Sequence, residues 1–447
     1  MKYSFPKDFL FGAASSACQI EAGCHIDGKG EDVGEHYYKL YPEKYFGADP
    51  DKAADFYHRY PEDILDMRRL GLKCFRFSIS WSRIYPCGPE KVNERGLRYY
   101  RDVAQKLKEA GIKVFFDLFH CDLPFWVIEA GGILDKRFIS WFSDYARTCF
   151  AYLGDLVDYW STVNEPSINC FGAYAYGTNA PFLKDMSLAI KASHNMILAH
   201  YAAIRIYKET GFSGQIGSVI HFEPVYPASD SEEDALAAAR KRDFYSGWWL
   251  DPMLTGKYPA ALVKTPYIAE MMPAGYEREL ADNFVPNDFI AVNYYSPALA
   301  AFDPEKPLGY RSVDPELPRD DYGFFRYPQG IFDTVTYLNA TYPGKNIFIS
   351  ENGIGVLRTG EKEKDLHDGY RVDYLREHLR ALSRAIGAGA PVKGYFHWTI
   401  MDTNELYAGG YKYLFGLTQV DFDTLERTPR DSWYVYRDII ADGGLDG

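Results

Sequence analysis

Eight short runs of nearly continuous apolar residues recur along the chain, most of them followed by a stretch with helical spacing. They cover 9–17, 73–80, 113–120, 157–164, 215–222, 288–295, 346–351 and 392–399. Runs that are apolar at successive positions, rather than at alternate ones, are expected of parallel strands buried on both faces. Helices are predicted between most of them, among others over Asp102 to Ala110, Met186 to Thr210 and Asp368 to Ile386. Eight such units in order predict an α/β protein with a closed (β/α)8 TIM barrel. A doubly wound nucleotide-binding sheet is the alternative. Against it, Gly28-Lys29-Gly30 lacks the third glycine of a dinucleotide signature and follows no strand. No linker, repeat or low-complexity tract interrupts 1–447, so a single domain is expected.

A barrel builds its site from the C-terminal ends of its strands. The predicted strands end in polar or hydrogen-bonding residues: Arg76, His120, Asn164, Glu165, Asn293, Tyr295, Glu351 and Trp398. Two of them are carboxylates in short motifs, Ser161-Thr162-Val163-Asn164-Glu165-Pro166 and Ile349-Ser350-Glu351-Asn352-Gly353. Two glutamates on different strands of one pocket are the minimum equipment for cleaving a glycosidic bond through a covalent intermediate. Each residue alone has an ordinary structural reading: His120 as a core histidine, Arg76 as half of an ion pair, Asn-Glu-Pro as a common tripeptide. Their recurrence at strand after strand is what packing alone does not explain.

Composition narrows the partners. Aromatic residues reach 17%, with 37 tyrosines and 29 phenylalanines, which suits a pocket that stacks on the apolar faces of sugars. The net charge of −13 makes nucleic acid and anionic membrane surfaces poor partners. The seven cysteines are odd in number and include no CxxC pair, which favours a reducing compartment. With no apolar leader at Met1 to Pro6 and no run of membrane-spanning length, a cytoplasmic location is expected. The ten histidines form no HExxH or HxH arrangement, and neither metal nor cofactor is expected. A homo-oligomer is left open.

With these motifs in place the chain resembles glycoside hydrolase family 1, the β-glucosidase and 6-phospho-β-glucosidase family. The likeness runs from Phe9-Leu10-Phe11-Gly12 through Arg76-Phe77-Ser78-Ile79-Ser80-Trp81-Ser82-Arg83-Ile84 to Phe415-Gly416-Leu417. The resemblance implies a (β/α)8 barrel, which agrees with the strand count, and a small β-glycoside or oligosaccharide as substrate. It implies Glu165 as general acid/base and Glu351 as nucleophile, about 5 Å apart for a retaining reaction. Glu165 is then expected to have a raised pKa. Arg76 and Tyr295 would orient Glu351 and keep it ionised, Asn164 would meet the sugar 2-hydroxyl, and Asn293 would support that group. Gln19, His120 and Glu405 resemble hydroxyl-binding groups of the inner sugar subsite, with Trp398 beside them.

Three tryptophans usual in the family are replaced. HWDLP reads His120-Cys121-Asp122-Leu123-Pro124; Gly-Trp reads Gly323-Phe324; and Glu-Trp reads Glu405-Leu406, followed by an apparent insertion around Tyr407 to Gly410. Cys121 and Leu406 would border the inner subsite and Phe324 the leaving-group platform. Either Trp398, Tyr407 or Tyr411 fills the space, or the subsite admits a substituted sugar, a disaccharide unit or another hexose. The 6-phospho branch is disfavoured, because Glu405 is kept and Tyr413 and Phe415 occupy the approximate places of that branch's Lys and Tyr, with Lys412 one residue off. A transglycosidase using the same glutamates remains open. A non-catalytic sugar-binding relative is disfavoured by the presence of both carboxylates.

Overall fold

The computed structural model describes residues 2–406 and 408–447. Eight parallel strands close into one barrel: β1 Leu10–Ser15, β2 Cys74–Ser78, β3 Lys113–Asp117, β4 Tyr159–Asn164, β5 Gln215–His221, β6 Phe289–Asn293, β7 Asn346–Asn352 and β8 Val392–Trp398. They neighbour one another in chain order, and β8 returns to β1 with Trp398 opposite Ala14. All eight predicted strands are present. Nearly every strand position is buried, which is why the runs read as continuous rather than alternating.

The outer layer includes α1 Phe56–Leu70, α2 Glu94–Glu109, α3 Arg137–Leu153, α4 Met186–Thr210, α5 Glu232–Arg242, α6 Gln329–Thr341, α7 Gly369–Gly387 and α8 Asp431–Asp442. Local chemistry sets their limits. The Asp185 carboxylate accepts from the backbone N–H groups of Ser187 and Leu188 at the start of α4, and Gly211, at φ 74°, ends it. Gly71 (φ 82°) and Gly111 (φ 77°) likewise turn α1 and α2 into β2 and β3 within a few residues. These tight connections all lie at the N-terminal face. The opposite face carries the long loops, and with them the room for a site.

The lower half of the barrel is filled by rings. Phe115, Tyr159, Phe289, Phe348 and Phe396 meet edge-on or tilted at centroid separations of 5.2–6.4 Å. A Cβ at Gly12 would run into the Phe396 ring, so that close approach depends on glycine. Above this plug lies a fully buried cation, Arg76, 5.9 Å from the Phe115 ring centre. Among the described residues, no helix is long and apolar enough to cross a membrane.

Candidate active site

Register brings the strand ends together. Asn293 of β6 lies opposite both His221 of β5 and Glu351 of β7. Register slips between Ser161 and Asn164, and between Ile349 and Glu351, re-aim the ends of β4 and β7. Glu165 follows β4 at φ 40°, a left-handed conformation rare for a residue with a side chain, and its N–H is tied to the Val219 carbonyl at 2.9 Å.

Two groups hold Glu351. Arg76 Nη1 donates to Oε1 at 2.6 Å, and the Tyr295 hydroxyl donates to Oε2 at 2.6 Å. Arg76 also pairs with Asp117 at 2.7 Å and donates to Asn164 Oδ1 at 2.7 Å. A guanidinium this deep is retained because two carboxylates and an amide satisfy it. Burial nevertheless lifts the Glu351 pKa above the usual glutamate range; Arg76 opposes this and the charge of Glu165 adds to it.

Glu165 is held differently. Asn293 Nδ2 donates to its Oε1 at 2.8 Å and to Asn164 Oδ1 at 3.1 Å, and Ser350 Oγ donates to Asn293 Oδ1 at 2.8 Å. A hydrogen-bonded ladder thus runs from Glu165 through Asn293, Asn164 and Arg76 to Glu351. His221 Nδ1 lies 3.4 Å from the same Oε1. Burial pushes the Glu165 carboxyl up, but the hydrogen bond and charge of His221, with Asn293 and His120, bring it below the usual range. The expected raised pKa is therefore corrected: Glu165 lies below the usual range. The reason is a histidine that the reading of strand ends passed over.

One cavity of about 410 Å³ has both glutamates on its wall, together with Gln19, His120, Asn164, Tyr295, Phe324, Trp398, Glu405 and Leu406. Arg76 and Asn293 lie beneath, fully buried, and reach the cavity only through the groups they hold. His120 stacks on Trp398 at 5.8 Å and lies 3.1 Å from the Asn164 amide nitrogen. Gln19 Nε2 donates to Glu405 Oε1 at 3.4 Å and Thr403 Oγ1 donates to the same oxygen at 2.7 Å. Burial, opposed by Thr403 and reinforced by the Glu351 charge, raises the Glu405 pKa to about 7. Among the described residues, no group of three or more His, Cys, Asp or Glu side chains is placed to hold a metal ion.

The sequence profile described as glycosyl hydrolase family 1 matches residues 1–445. The chain belongs to glycosyl hydrolase family 1. It is 36% identical to β-glucosidase A of Acetivibrio thermocellus, an alignment covering 99% of this chain and all of that one. It is 34% identical to a 6-phospho-β-galactosidase of Staphylococcus epidermidis, with 98% of each chain covered. The family 1 β-glucosidase of Thermotoga maritima superposes with a TM-score of 0.95 at 35% identity over 100% of both chains, and its complex with isofagomine lactam with 0.94. The protein is a glycoside hydrolase, a retaining β-glycosidase of this family.

Against the family pattern, all three replaced tryptophans fall on the wall of the one cavity, as Cys121, Phe324 and Leu406. Phe324 stacks on Tyr295 at 4.8 Å and packs at a tilt against Tyr322 at 4.9 Å. Tyr411 does not fill the space: its hydroxyl donates to the Asp49 carbonyl and its ring lies on Phe422 at 4.2 Å. Tyr407 lies outside the described residues. Tyr322, which the sequence did not place in the site, and Phe415, which it named only in weighing the 6-phospho branch, line the cavity. Asp117 and His221 were also missed; both stand at or beside strand ends, which is the signal that would have found them.

The lining includes three glutamates and, among the described residues, neither lysine nor arginine. Lys412 is exposed, 5.1 Å from the Tyr413 ring centre. A second cavity of about 290 Å³ is bordered by Glu165, His221, Phe171 and Phe244.

Proposed function

We propose that Glu351 is the nucleophile and Glu165 the general acid/base of this β-glycosidase. The observation carrying the assignment is the ladder of hydrogen bonds that joins both carboxylates on the wall of one cavity. In the first step Glu165 gives its proton to the leaving oxygen as Glu351 attacks the anomeric carbon. In the second, Glu165 takes a proton from water, and the hydroxide displaces Glu351. Arg76 and Tyr295 aim Glu351 and stabilise its ionised form. Asn164, supported by Asn293, meets the sugar 2-hydroxyl, while Gln19, His120 and Glu405 take further hydroxyls beside Trp398. Phe324 flanks the leaving group.

The sugar is a terminal, unphosphorylated β-linked residue of glucose type, as in the β-glucosidases of Acetivibrio thermocellus and Thermotoga maritima among its relatives. A phosphate would meet Glu405 and no cation from the described lining. A second reading, a substituted sugar or disaccharide unit, is favoured by Cys121 and Leu406 standing where flat rings would narrow the pocket. The test of the assignment is Glu351→Ala, which should abolish turnover of an aryl β-glucoside and leave sugar binding largely intact. Unchanged turnover would sink it. Initial rates on aryl glucoside, galactoside, fucoside, xyloside, 6-phosphoglucoside and diglycosides separate the sugar readings: a diglycoside in the lead selects the second.

A further inference from the structure

His221 lies between two carboxylates. Its Nδ1 is 3.4 Å from Glu165 Oε1, and its Nε2 is 3.5 Å from Glu223 Oε1. Asn293 also donates to Glu165 Oε1, so the His221 and Asn293 contacts fall on one oxygen of Glu165 and leave Oε2 for a substrate. Its backbone is held at the end of β5, where the Ser246 hydroxyl donates to the His221 carbonyl at 3.4 Å. It also borders both cavities that Glu165 lines.

Taking Glu165 as the acid/base, we propose that His221, braced by Glu223, is its proton reservoir: the His221–Glu165 pair holds one exchangeable proton, and only Glu165 passes it to substrate. His221 is thus a positioning residue that acts through Glu165. The proton rests on the imidazole. Burial opposes the charged ring, but hydrogen bonds and charge from Glu165 and Glu223 hold it protonated well above the ordinary histidine range. Glu165 and Glu223 both lie below the ordinary glutamate range: burial pushes each up, and His221, together with Asn293 and His120 at Glu165 and with Lys241 at Glu223, more than offsets it.

The proton balance closes over a cycle. During cleavage the bond from the anomeric carbon to the leaving oxygen breaks, and the pair's proton leaves on that oxygen. During hydrolysis water gives one proton back to Glu165, and the imidazole recovers it when the sugar departs. Glu351 gains from the same arrangement, since a proton moved onto Glu165 removes the neighbouring charge that raises its own pKa. The other titratable groups facing the pair are Glu351, His120, Tyr295, Tyr322 and Cys121 around Glu165, and Lys241 of α5, Tyr245 and Tyr310 beyond Glu223. None of these replaces His221, because none of them pairs with Glu165 Oε1.

A second resting place for one proton means that the pair releases it at a higher pH than Glu165 alone would. The test is the alkaline limb of kcat/KM for phenyl β-glucoside, whose poor leaving group needs the acid. His221→Asn should move that limb to lower pH by roughly 1 unit, the size of one nearby charge effect. Glu223→Gln, which does not touch Glu165, should move it the same way by less, and serves if His221→Asn misfolds. With a dinitrophenyl glucoside, which needs little protonation, both shifts should vanish. A limb that stays put, or moves to higher pH, in both variants would overturn the proposal. Glu165→Gln separates the two readings: retained turnover of phenyl glucoside would remove Glu165 as the acid, whereas lost turnover with an unmoved His221→Asn limb removes the reservoir alone.

Discussion

Removing the tyrosine hydroxyl from Glu351 tests the nucleophile assignment through one bond. Tyr295→Phe deletes the 2.6 Å hydrogen bond to Oε2, while Arg76 keeps its 2.6 Å bond to Oε1. The ring is retained, and with it the stack on Phe324. A hydrogen bond to an ionised group contributes about 1.5–3 kcal/mol, and one pKa unit corresponds to about 1.4 kcal/mol. The hydroxyl favours the charged carboxylate, so its loss raises the Glu351 pKa by about 1–2 units from a value that burial already places above the usual range. Attack requires the ionised form, and activity falls as pH drops through that pKa. The acidic limb of kcat/KM in Tyr295→Phe therefore moves to higher pH by that amount. Initial rates of an aryl β-glucoside from pH 4 to 9, with a thermal melt at each pH as a folding control, read it directly. An acidic limb that is unmoved, or shifted to lower pH, would refute the claim that Tyr295 tunes the nucleophile.

Two further outcomes follow from the inner subsite. Glu405, with its pKa raised to about 7, binds a proton in the folded state where the unfolded chain has lost it. Its contribution to stability is therefore greatest below pH 4.5 and is lost as pH rises to about 7, by about 3 kcal/mol at most. Glu405→Gln should melt above the wild type at pH 8 and level with it at pH 4; an equal difference at both would contradict the sign. Leu406→Trp returns a flat ring to the cavity wall. It should depress kcat/KM for glycosides with a substituted sugar several-fold more than for plain aryl glucoside, and an unchanged ratio would mean Leu406 does not limit the sugar.

The barrel was legible because its strands are buried on both faces, so that stretches such as Cys74–Ser78 and Phe289–Asn293 leave unbroken apolar runs. Helix α4 was read at its true limits from Met186 to Thr210, where an Asp185 cap and Gly211 mark both ends. Helix α2 begins at Glu94, eight residues before the predicted Asp102, because Glu94, Arg95, Arg98 and Arg101 put a charged face on its first turns and hid the period. The carboxylates were visible as motifs. What surrounds them was less so, since it depends on which strand lies beside which. His221 reads as part of the apolar run QIGSVIHF, and only the β5–β6 register sets it opposite Asn293 and against Glu165. The same holds for Asp117 within KVFFDLFH, which becomes a partner of Arg76 once β2 lies beside β3.

The plug of phenylalanine and tyrosine rings beneath Arg76 gives the barrel a blind end, and a blind end imposes an order of traffic. Whatever occupies the innermost position goes in first and comes out last. The leaving alcohol must clear the mouth before water can reach the covalent intermediate by the same opening, and the freed sugar departs only after both. The sugar product therefore competes with fresh substrate for the empty enzyme, whereas the alcohol meets the glycosylated form and can only compete with water.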